Sequence, residues 1–105
     1  LVMGEISTLD EARRALPMGF DLISTTLAGY TAESANVTRA AVDLVRDIVA
    51  ITDTPVIAEG KVRLEQDAVD MLDAGALAVV VGTSITRPEV ITSRYVEALA
   101  ERGRR

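Results

Sequence analysis

Four short apolar segments alternate with four amphipathic ones, and this alternation constrains the 105-residue chain more than any other feature. The apolar segments, near residues 1–4, 22–26, 55–59 and 77–81, read as strands. Each is apolar on both faces, as a parallel strand covered by helices must be. Between them run segments of helical period. From Val37 to Val49, the residues Val37, Ala40, Ala41, Leu44, Val45, Ile48 and Val49 form one stripe. Leu64, Ala68, Met71 and Leu72 repeat it, as do Ile91, Tyr95, Ala98 and Leu99, with a shorter version at Leu9, Ala12 and Leu16. Capping signals agree. Ser7 precedes the first helix with Asp10 three residues on, Asn36 precedes the second, and Pro88 falls in the opening turn of the fourth. Gly19 and Gly75 stand where the first and third helices should stop.

The order is β-α-β-α-β-α-β-α, with unit starts at Leu1, Asp21, Pro55 and Leu77 and an extra loop from Leu27 to Ala35 in the long second unit. Such alternation implies an α/β fold with a parallel sheet and right-handed crossovers. A doubly wound open sheet and part of a (β/α)8 barrel both satisfy it. A full barrel needs about 250 residues, so 105 residues supply four β-α units, half of one. Residues 1–105 are expected to form one half-barrel, either a single domain or a piece of a longer (β/α)8 domain. Leu1-Val2-Met3 reads as a strand with nothing before it, so the chain is expected to have been cut from something longer or to begin inside a fold element.

Composition narrows the chemistry. With no cysteine there is no disulfide framework, no zinc–thiolate site and no cysteine nucleophile; with no histidine, the commonest general base and metal ligand is missing. Eleven basic against sixteen acidic residues give a net charge of −5, which argues against nucleic acid as a partner. The longest wholly apolar run, Ala76 to Val81, is far shorter than a membrane span, and no secretory signal is legible, so a soluble cytoplasmic protein is the expectation.

Polar residues gather where the strands end: Glu5 after the first, Thr25 and Thr26 at the second, Glu59 at the third, Gly82-Thr83 after the fourth. In both candidate folds that edge is the ligand side. Glu59 suits a general acid or base, and equally a structural acid paired with Lys61 or Arg63. Gly60 and Gly82 each follow a strand and allow backbone amides to approach an anion; Thr83 to Thr86 then opens a helix, whose N-terminus favours phosphate. If these are a barrel's last two strands, the two glycines fall where its phosphate cradle belongs. Arg87 offers a guanidinium to a phosphate or sugar hydroxyl, or is a surface arginine. Glu5 suits a sugar hydroxyl or a first helical turn, and Tyr30 is a lid residue or an anchor for its loop.

Four strings occur in order: Gly4-Glu5-Ile6-Ser7-Thr8-Leu9-Asp10-Glu11, Thr25-Thr26-Leu27-Ala28-Gly29-Tyr30-Thr31, Pro55-Val56-Ile57-Ala58-Glu59-Gly60 and Ile85-Thr86-Arg87-Pro88. On these the chain resembles the C-terminal half of the N-acetylmannosamine-6-phosphate 2-epimerase family, over essentially all its length. The resemblance implies a (β/α)8-barrel isomerase of sialic acid and amino-sugar catabolism that needs no cofactor and no metal. It interconverts N-acetylmannosamine 6-phosphate and N-acetylglucosamine 6-phosphate by removing and returning the C2 proton. Glu59 matches the family's catalytic glutamate, Arg87 its substrate-binding arginine, and Gly60, Gly82 and Thr83 its phosphate loops. Glu5 stands where the family usually has a sugar-binding aspartate, one methylene shorter, and Thr83 where a second glycine is common. The family's catalytic lysine lies on a strand of the other half; Lys61, the only lysine here, matches a different basic position. The resemblance therefore implies a phosphosugar substrate and a chain inactive alone, while the open edge strands of a half-barrel lead to the expectation of a homo-oligomer or a pairing with an N-terminal half. Two other readings compete: another phosphosugar-binding barrel enzyme, and a non-catalytic half-barrel that self-associates.

Overall fold

A computed structural model describes residues 1–104. Four strands, β1 (Met3–Glu5), β2 (Leu22–Ser24), β3 (Val56–Glu59) and β4 (Ala78–Val80), form one sheet in the order β1-β2-β3-β4, every pair parallel. The helices α1 (Leu9–Ala15), α2 (Val42–Val49) and α3 (Glu65–Asp73) join successive strands. After β4 come a single helical turn, α4 (Thr83–Thr86), and the long α5 (Pro88–Gly103). Strand order decides between the two folds left open above. A doubly wound sheet reverses direction at its switch point, whereas here each strand lies beside its predecessor and crossovers of one hand place the helices on one face. The chain is half of a (β/α)8 barrel.

Register sorts the strand side chains. Ile23, Val56 and Ala58 face the helices and are buried against Ala12 and Ala15 of α1, Val45 and Ile48 of α2, and Met71 of α3. The alternate set, Met3, Leu22, Ile57, Ala78 and Val80, lies on the opposite face, and none of these is fully buried.

The helices differ from expectation at their starts. Thr8, not Ser7, caps α1: its hydroxyl accepts from the Glu11 amide at 3.2 Å. Ser7 instead donates to the Glu11 carboxylate and accepts from Thr31, tying the first strand–helix loop to the second. Helix α2 begins at Val42, five residues after the stripe does, and Asn36 caps nothing. The Val37 amide donates to the Ser34 carbonyl at 2.9 Å, a further turn directly after the 3-10 turn Ala32–Ser34. Ala40 still packs on the core, which is what its place in the stripe reflects.

Pro88 opens α5 as expected, but the apolar face of that helix is uncovered: Tyr95 is 71% and Leu99 69% exposed, and α5 buries no side chain. A helix after a strand packs between that strand and the next one, and β4 is the sheet's edge. The molecule is consequently 53 Å long with a radius of gyration of 15.4 Å, above the roughly 13 Å of a compact domain this size.

Candidate active site

The C-terminal ends of β2, β3 and β4 open into one cleft of about 620 Å³, whose lining includes Thr26, Glu59, Gly60, Lys61, Gly82 and Thr83. Four of the six residues singled out from the sequence (Glu59, Gly60, Gly82 and Thr83) are thus together. Glu5 ends β1 opposite Ser24, exposed and outside this lining. Arg87 is also outside it. Its guanidinium Nε donates to Glu89 Oε1 at 2.8 Å on the surface; a hydrogen bond from Glu89's own backbone first, and this contact second, hold that carboxyl below the usual carboxylate range.

Glu59 does not pair with Lys61 or Arg63. Its Oε2 accepts the Thr26 hydroxyl at 2.9 Å, and Thr26 in turn contacts the Ser24 hydroxyl at 2.6 Å. Beneath, the buried Thr25 hydroxyl accepts the Glu59 amide at 3.0 Å and donates to the Glu59 carbonyl at 2.9 Å. Position within the strand explains why Glu59 faces outward: it shares the pleat of Ile57, on the sheet face away from the helices.

The two glycines differ in kind. Gly60 has φ 102°, a left-handed conformation that disfavours a side chain, so glycine is needed to turn the chain after Glu59. Gly82 has an ordinary φ of −105°, and a Cβ there would meet nothing within 4 Å. What glycine contributes at 82 is open space beside the Thr83 turn. Lys61 reaches back over the second loop, its Nζ 4.3 Å from the centre of the largely exposed Tyr30 ring. Arg63 and Arg94 also line the cleft, and neither forms an ion pair among the described residues. In the sequence Thr25 and Thr26 read only as polar strand ends and Arg94 as one more helical residue. The run Ser24-Thr25-Thr26 at the end of an apolar strand was the available signal for the first two. Arg94 had none, since a single helical arginine is indistinguishable from a surface one.

A parallel half-barrel with an acid and two glycines at its C-terminal strand ends belongs to the class of (β/α)8-barrel proteins, in which that edge is the ligand side. Residues 1–101 match the family described as "Putative N-acetylmannosamine-6-phosphate epimerase". The chain belongs to that family. Among curated relatives named for the 2-epimerase, that of Caldanaerobacter subterraneus is 47% identical over 102 residues, 97% of this chain and 43% of the relative. The Shouchella clausii relative is 49% identical over 100 residues, 93% of this chain and 44% of its own. A solved structure of the N-acetylmannosamine-6-phosphate 2-epimerase from Clostridium perfringens superposes with a TM-score of 0.86 at 41% identity, covering 91% of this chain and 42% of that one. The chain thus spans less than half the length of these relatives. The GGGPS of Thermoplasma volcanium, at 24% identity and a TM-score of 0.54, shares the fold alone.

Proposed function

We propose that this chain supplies the C-terminal half of a phosphosugar epimerase site, in which Glu59 gives and takes the C2 proton as N-acetylmannosamine 6-phosphate and N-acetylglucosamine 6-phosphate interconvert. The observation that carries this is the Glu59 carboxylate, held by Thr26 at the barrel mouth in the same cleft as Gly60, Gly82 and Thr83. A proton next to the C1 carbonyl of the open-chain sugar is acidic enough for a positioned carboxylate to exchange, and inversion requires return to the opposite face. A second acid–base group must therefore face Glu59 across the sugar. On the family resemblance it is a lysine of the other half of the barrel. The open turns at Gly60 and Gly82-Thr83 take the phosphate, with Arg63 and Arg94 nearby to offset its charge. Glu5 and Arg87 contact the sugar once the barrel closes and Arg87 leaves Glu89. No metal or cofactor enters this chemistry.

A phosphorylated amino sugar as substrate favours a cytoplasmic role in sialic acid and amino-sugar catabolism. No helix among the described residues is long and apolar enough to cross a membrane. The partner is an N-terminal half like that of the relatives, or a second copy. The test is an epimerase assay on this chain reconstituted with the N-terminal half of the Caldanaerobacter subterraneus relative. Glu59→Gln is expected to cut turnover by about 10²–10⁴, the usual share of an acid–base group. Near-normal turnover in that variant removes Glu59 from the mechanism.

A further inference from the structure

Glu59 is gripped at two levels by consecutive residues. β2 ends at Ser24, so on the β2 side the strand ladder stops short of Glu59; the Thr25 hydroxyl takes that place, accepting the Glu59 amide and donating to its carbonyl. Above this, the side chain is held separately. A threonine hydroxyl has one proton, and that of Thr26 goes to Glu59 Oε2. The 2.6 Å contact between Ser24 and Thr26 therefore has Ser24 donating, from a fully buried position that water does not reach. The result is a one-way chain, Ser24 to Thr26 to Oε2. Among the described residues, Oε1 has no hydrogen-bond partner.

The two carboxylate oxygens are thus inequivalent. We infer that Thr26 is a positioning residue which commits Oε2 of Glu59 to the protein and leaves Oε1 as the oxygen that exchanges the proton with substrate, an inference that rests on the acid–base role proposed above for Glu59. The hydrogen bond from Thr26 occupies a lone pair of Oε2 and ties that oxygen to the protein. It also stops the carboxylate from turning about its last torsion, which is otherwise broad for a glutamate. Because Glu59 exchanges a proton on only one face of C2, the second group serving the other, its reactive oxygen has to stay on one line of approach to that face, and a misplaced group loses rate even with its chemistry intact. Ser24 adds no contact to the cleft; it directs the Thr26 proton.

Two measurements test this. In the 105-residue chain itself, three-bond couplings across the Glu59 side-chain torsions are expected to report a single rotamer. Thr26→Val and Thr26→Ala should average them, and Thr26→Ser should restore them. Averaged couplings in the parent chain, or unaltered ones in both Thr26→Val and Thr26→Ala, overturn the inference. In the reconstituted barrel, Thr26→Val is expected to lower kcat about tenfold with KM within about twofold, and Thr26→Ser to recover most of the loss. Combining Thr26→Val with Glu59→Gln should be no slower than Glu59→Gln alone, because Thr26 acts only through the carboxylate. Full kcat in Thr26→Val beside a disabled Glu59→Gln, or additive losses in the pair, overturns the positioning role while leaving Glu59 catalytic. Normal turnover in Glu59→Gln overturns the acid–base role itself and this inference with it.

Discussion

Lys61 has φ 56°, directly after Gly60 at 102°, so two successive left-handed residues turn the chain at the cleft. A residue with a side chain pays for that conformation, and the contact of its ammonium with the Tyr30 ring, worth about 0.5–1 kcal/mol at an exposed site, offsets part of the cost. The stem of Lys61 lies over Gly29, itself at φ 89°. A Cβ at Gly29 would crowd that stem and approach the Val37 carbonyl to 2.5 Å; the stem can move aside, but the backbone oxygen cannot. Gly29→Ala is therefore expected to destabilise the chain by about 1–3 kcal/mol, the cost of a strained backbone residue. Gly82→Ala, at an ordinary φ with open space, should stay within about 0.5 kcal/mol. Urea unfolding of the two variants side by side checks both; equal midpoints would remove the distinction between a required glycine and a merely permissive one.

At the scale of elements, α3 owes its start to one carboxylate. Asp67, in the first turn, accepts the amides of Leu64 and Arg63, each at 3.0 Å, and these bonds hold its carboxyl below the ordinary aspartate range. A carboxyl depressed on folding stabilises the fold above its unfolded pKa of about 3.9, and that stability is lost as pH falls through the lower folded value. Asp67→Ala is expected to cost about 0.5–2 kcal/mol at neutral pH, the worth of a helix cap. The deficit relative to the parent should shrink as pH drops below about 4. A deficit that stays constant from pH 7 to pH 2.5 would show that the charge of Asp67 is not what caps α3. The same geometry explains why α3 starts cleanly while α2 starts late: Ala41 precedes α2 with no side-chain acceptor, and upstream the Val37 amide is taken by the Ser34 carbonyl.

The whole molecule is unfinished on two sides. Strand β1 and strand β4 are open edges, and Met3, Ile57, Ala78 and Val80 line a face that a closed barrel would fill. Along α5, Tyr95, Val96 and Leu99 are each at least 59% exposed, and a groove of about 700 Å³ beside them is lined by Val62, Leu64, Ile85 and Ile91. Open strand edges pair with whatever strand is offered, and apolar patches of several hundred Å² mark association surfaces. The chain alone is expected to self-associate in sedimentation velocity and to show negligible epimerase turnover, because the proposed second acid–base group lies in the other half. Adding the N-terminal half of a relative should restore activity. A stable monomer would refute the association, and turnover by the isolated chain would refute the divided site.

The amino-acid sequence determined the four strand–helix units, their parallel pairing and the identity of Glu59, Gly60, Gly82 and Thr83 as neighbours. Apolar periodicity is a local property and every β-α unit carries it, while crossover handedness brings all the strand ends to one edge. Tertiary structure decided the rest. That the strands run 1-2-3-4 and not about a switch point depends on packing between elements far apart in the chain. So does the departure of α2 from its stripe, since Val37 shares its place in the helical pattern with Ala40 and Ala41 but gives its amide to Ser34. The clearest case is Glu59. Its neighbours Lys61 and Arg63 suggested a salt bridge, yet its partners are Thr25 and Thr26, more than thirty residues earlier. A hydrogen bond requires atoms within about 3 Å, and only the sheet, by laying β2 against β3, brings those atoms that close.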